Sequence, residues 1–185
     1  MKCHDITVAK HAGFCFGVKR ATDRLEEVLK KENPDYIGVA FDPKGKTFRH
    51  EAYEEYKAQR EETPEVIRES VPVIKEILTA YKIPILEVPG YEADDILGTL
   101  VAMAESYGEP CEAYVLTGDK DSLQLISGTS RVLLAGNTET KLMDEAAFME
   151  KYGVRPDQFV DVKALMGDSS DNIPGVPGIG EKTAL

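Results

Sequence analysis

The stretch Glu92-Ala93-Asp94-Asp95 stands between a short apolar run, Ile85-Leu86-Glu87-Val88, and a helical pattern over residues 93–106. The run is typical of a buried strand, and the apolar residues after it recur at helical spacing. The same order, an apolar run followed by acidic residues, recurs at 36–42 and at 113–121. Strands that alternate with helices predict an α/β fold, with a mostly parallel central sheet and helices on both faces.

The full pattern extends this prediction along the chain. It predicts strands at 6–9, 36–41, 85–88, 113–116 and 131–134, and helices at 17–31, 64–81, 93–106, 144–152 and 156–166. The charged, tyrosine-containing stretch at 48–62 has only a weak pattern and is interpreted as a helical or mobile excursion from the core.

Acidic residues collect where the predicted strands end. In a parallel sheet, ligand sites lie beyond the carboxyl ends of the strands, so these residues are expected to share one edge. A third cluster, Gly167-Asp168-Ser169-Ser170-Asp171-Asn172, follows the last predicted helix. Hard divalent cations prefer carboxylate oxygens. The predicted metal ligands are Asp42, Glu92, Asp94, Asp95, Asp119, Asp121, Asp168 and Asp171. For any one cluster, helix capping is an equally good explanation.

A glycine-rich loop follows the third cluster, at Ile173-Pro174-Gly175-Val176-Pro177-Gly178-Ile179-Gly180-Glu181-Lys182. Glycines permit tight turns and expose backbone N–H groups to a phosphate. Acidic residues that hold metal, followed by a loop that binds a phosphate backbone, suggest a metal-dependent nuclease. The alternative for the loop is an ordinary turn between helices.

Composition sets the limits of this hypothesis. The chain has 185 residues, a net charge of −11 and three cysteines. Its length allows one domain with a substantial core. No stretch predicts a membrane span or a secretory signal, and the odd cysteine count does not suggest a disulfide framework. The negative charge by itself argues against a nucleic-acid partner, but bound metal would offset the clustered acids.

From about residue 25 to 185 the chain resembles the 5′-nuclease domain of bacterial DNA polymerase I, in the flap-endonuclease family. The residues that carry the resemblance are Phe41-Asp42, Phe48-Arg49-His50, Tyr56-Lys57, Gly90-Tyr91-Glu92-Ala93-Asp94-Asp95, Thr117-Gly118-Asp119-Lys120-Asp121 and Leu165-Met166-Gly167-Asp168-Ser169-Ser170-Asp171-Asn172-Ile173-Pro174-Gly175. The resemblance implies a PIN-like 5′-nuclease core over 25–166 with an arch at about 44–62. Residues 167–185 then form a truncated helix-hairpin-helix motif, and 1–24 a substituted N-terminal segment.

The resemblance also implies an activity, removal of 5′ ends or flaps from DNA, including RNA-primed DNA. Two Mg²⁺ or Mn²⁺ ions would be held by the eight acidic residues, with K⁺ at the hairpin loop in relatives. Lys57 and Arg60 match arch residues that act at the scissile phosphate. The implied DNA-binding residues are Arg49, Tyr56, Lys57, Arg60, Gly175, Val176, Gly178, Ile179, Gly180 and Lys182. We expect a cytoplasmic, nucleoid-associated monomer with no membrane partner and no polymerase domain in this chain.

The N-terminus departs from the family pattern. The family's first strand ends in a metal-binding Asp, whereas Lys10 or His11 stands near that place here. Residues 9–21 instead resemble the start of hydroxymethylbutenyl diphosphate reductase, in which the matching cysteine, here Cys15, binds an iron–sulfur cluster. Cys111 lacks the matching context, so no cluster is expected. Two alternatives to a nuclease therefore stay open: a DNA-binding remnant without catalysis, and an iron–sulfur isoprenoid-pathway fragment.

Overall fold

The computed structural model describes residues 23, 26, 27, 29–136 and 138–185. The predicted strand at 6–9, Lys10, His11, Cys15 and most of the predicted helix at 17–31 lie outside the described residues. The described chain divides into two compact units. The first takes its described residues from the chain up to Val39 and from Glu62–Ile85, and the second comprises Ala40–Glu61 and Leu86–Leu185.

The helices and strands follow one another in the predicted order. They are β1 (Val39–Ala40), α1 (Phe48–Ala52), α2 (Glu65–Ala80), β2 (Ile85–Leu86), α3 (Ala93–Glu105), β3 (Ala113–Thr117), β4 (Ser130–Ala135), β5 (Thr140–Met143), α4 (Glu145–Tyr152), α5 (Phe159–Met166) and α6 (Glu181–Ala184), with 3₁₀ turns at Asp121–Leu125 and Pro156–Gln158. The α/β fold is confirmed. The predicted strands at 36–41 and 85–88 are shorter than expected, and β5 was not predicted. The described part of the chain contains no helix suited in length and apolar character to crossing a membrane.

The first unit is built around α2. This helix begins directly after Pro64, a residue that suits a helix start because it has no N–H to leave unpaired. Leu78 is the buried residue of α2, and its carbonyl accepts a hydrogen bond from the N–H of Ile83. In the same unit the Val39 N–H donates to the Pro84 carbonyl at 2.9 Å.

The second unit contains a three-stranded sheet in the order β3-β4-β5. β3 and β4 are parallel, from Ala113 opposite Ser130 to Thr117 opposite Leu134. β4 and β5 are antiparallel, because the connection between them is too short for the crossover that a parallel pair needs. Among the described residues, β1 and β2 form a separate two-stranded sheet. The described sheets are therefore parallel in part, where the sequence predicted one mostly parallel sheet.

The core of the second unit lies between this sheet and helices α3, α4 and α5. Leu123, Val132 and Phe148 are fully buried in it. The ring of Phe148 packs 4.7 Å from that of Tyr152 and 5.3 Å from that of Phe159. This aromatic cluster joins α4 to α5, which in turn leads into the Gly167-Asp168 cluster.

Two glycines hold the loop at 168–173 in shape. Gly167 has φ +74°, and a Cβ there would lie 2.7 Å from the Ile173 carbonyl oxygen and 2.9 Å from the Gly175 Cα. The loop is closed by paired backbone hydrogen bonds between Asp168 and Ile173, at 2.9 and 2.8 Å. Only glycine fits where two stretches of backbone approach so closely.

We expect Gly167→Ala and Gly175→Ala each to lower the free energy of unfolding by more than about 1 kcal/mol, through positive φ at Gly167 and steric overlap at both positions. Gly180→Ala is the matched control, since no atom lies within 4 Å of a Cβ built there. Urea denaturation of the three variants makes the comparison. Equal stability of all three would contradict the close approach of the two backbones.

Candidate active site

The first group of acidic side chains surrounds the start of α3. The Asp42 carboxylate accepts a hydrogen bond from the Ala93 N–H at 2.7 Å, so β1 delivers this carboxylate to the helix N-terminus. Asp95 accepts from the Glu92 N–H at 2.8 Å and caps the same helix. Capping therefore explains part of the acidic pattern, as the sequence allowed, and it also places Asp42 beside the Glu92-to-Asp95 cluster.

The pKa of Asp94 is influenced by acidic residues from several segments. Its pKa is raised first by burial and then by the charges of Asp119, Asp42 and Glu92. No described residue donates a hydrogen bond to its carboxylate. Residues from three separate segments, the ends of β1 and β3 and the start of α3, thus act on one carboxyl group.

A second group forms around Lys163, which lies on α5. Its ammonium group is 2.8 Å from the Asp121 carboxylate and 2.6 Å from the Asp168 carboxylate. Burial raises the pKa of Asp121, Lys163 opposes this, and the charges of Asp119 and Asp168 raise it further. Because Asp119 acts on both Asp94 and Asp121, the two acidic groups are neighbours.

Cationic side chains between residues 49 and 60 pair with three of the acids, Glu92, Asp95 and Asp171. Arg49 binds both oxygens of Asp95, at 2.6 and 2.7 Å, and lowers the pKa of that carboxyl group. Lys57 lies 2.9 Å from Glu92 and 3.8 Å from Asp171. Arg60 pairs with Asp171. Tyr56 is only 5% exposed, and its hydroxyl lies 2.9 Å from a Glu92 oxygen and 3.1 Å from an Asp171 oxygen, so its one proton is shared between the two carboxylates.

Backbone contacts fasten the same segment to the loop at 168–173. The Lys57 N–H donates to the Asp171 carbonyl at 3.0 Å, and the Asn172 side chain donates to the Glu55 carbonyl at 2.8 Å. Gln59 donates to the Ser169 carbonyl, and Arg60 to the Ser170 carbonyl at 3.2 Å. Lys57 and Asn172 both adopt positive φ, which this tight fit requires of them.

The donor chemistry of the site fits divalent cations. Asp94 and Asp121 have pKa values raised in part by neighbouring negative charge, and an added cation would relieve that repulsion. Within the described residues, no group of three or more His, Cys, Asp or Glu side chains is arranged to hold an ion. Lys57, Lys163, Arg49 and Arg60 are bound to the carboxylates in this conformation. The ligand roles assigned to the eight acids stay a prediction.

The structure brings together most, but not all, of the residues singled out in the sequence. The eight acids and the four residues of the 49–60 segment all lie in the second unit, and most of them are linked by the hydrogen bonds and ion pairs above. The glycine-rich loop lies beyond them. The Val176 N–H donates to the Leu165 carbonyl at 2.8 Å, Gly178 has φ +83°, and Lys182 lies on α6. The roles of these residues toward DNA stay predictions.

Sequence reasoning missed Lys163, and it gave Tyr56 no role toward the acids. Lys163 stands one turn before Gly167-Asp168, and a basic residue so close to an acidic cluster was a usable signal. The burial of Tyr56 had no such signal, because its two acidic partners are 36 and 115 residues away in sequence.

Comparison with known proteins identifies the family of this chain. Residues 5–153 match the family model of the 5′-3′ exonuclease N-terminal resolvase-like domain. Residues 154–185 match the model of the 5′-3′ exonuclease C-terminal SAM fold. The chain therefore belongs to the 5′-3′ exonuclease family. The first of these matches also includes part of the N-terminal segment 1–24.

The relatives are DNA polymerases. The chain is 50% identical over 166 residues to DNA polymerase I of Bacillus caldotenax, covering 89% of this chain and 19% of that protein. It is 47% identical over 163 residues to DNA polymerase I of Bacillus subtilis, covering 87% of this chain and 18% of that protein. It thus spans less than a fifth of the length of these relatives.

Solved structures agree on the fold. T5 5′-exonuclease with bound zinc superposes with a TM-score of 0.72 at 25% identity, over 90% of this chain and 64% of the T5 chain. T5 D15 protein co-crystallised with metal ions gives 0.71 at 26% identity, over 90% of this chain and 65% of the T5 chain. The catalytic core of Rad2 with DNA shares the fold, with a TM-score of 0.53 at 16% identity, over 90% of this chain and 50% of the Rad2 chain.

In the presence of EDTA, we expect Lys163→Met to lower the free energy of unfolding by about 1–3 kcal/mol, because Asp121 and Asp168 lose their shared charged donor. Lys141→Met is the matched control, since its partner Glu139 is 3.2 Å away and both side chains are about two-thirds exposed. Urea denaturation of the two variants and the parent chain makes the measurement. A loss at Lys163 no larger than at Lys141 would show that the bridge does not stabilise the fold.

Proposed function

We propose that this chain is a divalent-metal-dependent 5′ nuclease that hydrolyses DNA at 5′ ends or flaps, including RNA-primed ends. One observation carries the proposal: carboxylates from distant segments share cationic partners. Lys57 lies 2.9 Å from Glu92 and 3.8 Å from Asp171. Lys163 lies 2.8 Å from Asp121 and 2.6 Å from Asp168. A structural cap needs one acid at a helix start, not two connected groups from distant segments. The bound metal ions in the T5 relatives and the DNA bound to Rad2 support this assignment.

Eight carboxylates would hold two Mg²⁺ or Mn²⁺ ions. They are Asp42, Glu92, Asp94, Asp95, Asp119, Asp121, Asp168 and Asp171. Ions bound there supply Lewis-acid activation for phosphodiester hydrolysis. Two divalent ions carry four positive charges, and gathered carboxylates balance such a charge in a small volume.

Lysine and arginine side chains of this chain would bind the phosphate of the substrate. Lys57 and Arg60 lie against Glu92 and Asp171, within reach of any phosphodiester held by the acidic groups. Their donors offset charge that develops on phosphate oxygens during hydrolysis. The Lys57 N–H donates to the Asp171 carbonyl, and the Arg60 side chain donates to the Ser170 carbonyl. These bonds keep both residues in place for this role.

The glycine-rich loop supplies the contact to the duplex. Backbone N–H groups of Gly175, Gly178 and Gly180 and the Lys182 ammonium would bind phosphate oxygens, with a K⁺ ion as a further bridge. Such contacts position the substrate without reading its sequence. The substrate is therefore selected by its 5′ end and its shape.

The second candidate function is DNA binding without cleavage. It is favoured by Lys10 and His11, one of which stands near the place of the family's first-strand Asp. A positive side chain there would oppose one of the cations. Binding and cleavage must therefore be measured separately.

The test is cleavage of a 5′-labelled flap DNA with Mg²⁺ or Mn²⁺, beside binding of the same DNA by fluorescence anisotropy. We expect metal-dependent product, and a loss on the order of 100-fold in rate for Asp119→Asn, because a charge that both acidic groups share is removed. Asp157→Asn is the control, since that side chain is exposed and its ion pair is with nearby Arg155.

Two results would contradict the nuclease assignment. Equal rates for Asp119→Asn and Asp157→Asn would show that the acidic groups do not act in hydrolysis. Tight binding without any product would establish the DNA-binding function instead.

A further inference from the structure

Two aromatic rings are exposed directly beside the acidic site. Phe48 is the first residue of α1 and is 45% exposed, and Tyr91 precedes α3 and is 51% exposed. Their ring centroids are 5.6 Å apart, with the planes inclined at 49°. Isolated exposed aromatic residues are ordinary, but here two of them are in contact at the rim of a charged site and leave about half of each side chain exposed.

The pair is held in place by its surroundings. The Phe48 N–H donates to the Gly90 carbonyl at 3.0 Å, which joins the start of α1 to the turn that carries Tyr91. That turn is closed by a hydrogen bond from the Tyr91 N–H to the Val88 carbonyl at 3.1 Å. The Arg49 guanidinium lies 4.6 Å from the Phe48 ring centroid, and its two terminal nitrogens donate to the Asp95 carboxylate. Since Arg49 is fixed on one side, the Phe48 ring has a rigid support.

The rings and the acidic groups are connected through adjacent residues. Arg49 follows Phe48 and Glu92 follows Tyr91, and the Arg49 and Glu92 side chains are 4.0 Å apart. A polynucleotide whose phosphate lies at the acidic groups would therefore carry its neighbouring bases past these two rings.

We propose that Phe48 and Tyr91 form a stacking platform for one nucleobase of the DNA strand that is bound at the acidic site. This inference rests on the nuclease function proposed above and adds a binding subsite to it. Bases are neutral and have a π-face, so an aromatic platform binds them beside an acidic surface without charge repulsion and without regard to sequence. Two rings are far too small an area for a stable protein partner, which needs roughly 1,000 Å² of buried surface.

Binding of flap DNAs in Ca²⁺, measured by fluorescence anisotropy, tests the platform. The DNAs carry one abasic position each, stepped along the strand near the cleavage point. The protein variants are Phe48→Leu and Tyr91→Leu, with Tyr91→Phe to restore the ring and Tyr107→Leu as the control at a 72% exposed tyrosine. Thermal melts of all variants verify that each is folded.

The expected result is a Kd raised about 5-fold or more by either leucine variant, since one base stack is lost. Tyr91→Phe and Tyr107→Leu bind as the parent chain does. In the parent chain, an abasic site at one position of the DNA raises Kd by a similar factor. Tyr91→Leu binds the DNA with that abasic site and the intact DNA with the same Kd. A 2-aminopurine at that position is quenched on binding to the parent chain and not to Tyr91→Leu.

Two outcomes overturn the platform, and they differ in what else they affect. If the parent chain binds flap DNA and the leucine variants bind equally well, the platform is wrong and the proposed function stands. If the parent chain binds no flap DNA at all, both proposals fail.

Discussion

Repulsion between carboxylates is the constraint on which the second unit depends. Burial raises the pKa values of Asp94 and Asp121, and the charges of neighbouring acids raise them further. A fold can tolerate such a site only if cations are supplied nearby. The chain provides them from two places, α5 with Lys163 and the 49–60 segment with Arg49, Lys57 and Arg60. Both segments are therefore held where their cationic side chains pair with the carboxylates.

That constraint accounts for the unusual backbone near the site. Lys57 adopts positive φ, its side chain pairs with Glu92, and its N–H donates to the Asp171 carbonyl. On the opposite segment, Gly167 and Gly175 allow the loop at 168–173 to close tightly and present Asp168 and Asp171 together. The glycines thus serve the acidic groups as well as the turn.

Much of this could be predicted from the sequence, and the failures have physical reasons. The alternation of apolar runs and helices is local, so the order of elements and the convergence of acids at strand ends were predictable. β5 was missed because its four residues, Thr140–Met143, have only a short pattern and pair with β4 through a short connection. Tyr56 was missed as a partner of the acids because its contacts depend on tertiary packing between distant segments. Lys163 was missed although its contact with Asp168 is local; only its contact with Asp121 depends on tertiary packing.

The acidic residues differ in how well hydrogen-bond donors and cations compensate their negative charge. Asp168 is fully engaged: one oxygen accepts from Lys163 and the other from the Ser170 backbone and hydroxyl, and together these outweigh burial and lower its pKa. Asp94 has no described donor, and burial together with its acidic neighbours raises its pKa. By contrast, Asp95, Asp168 and Asp171 each form an ion pair with a lysine or arginine side chain. An added cation would therefore relieve more repulsion at Asp94 than at these paired carboxylates.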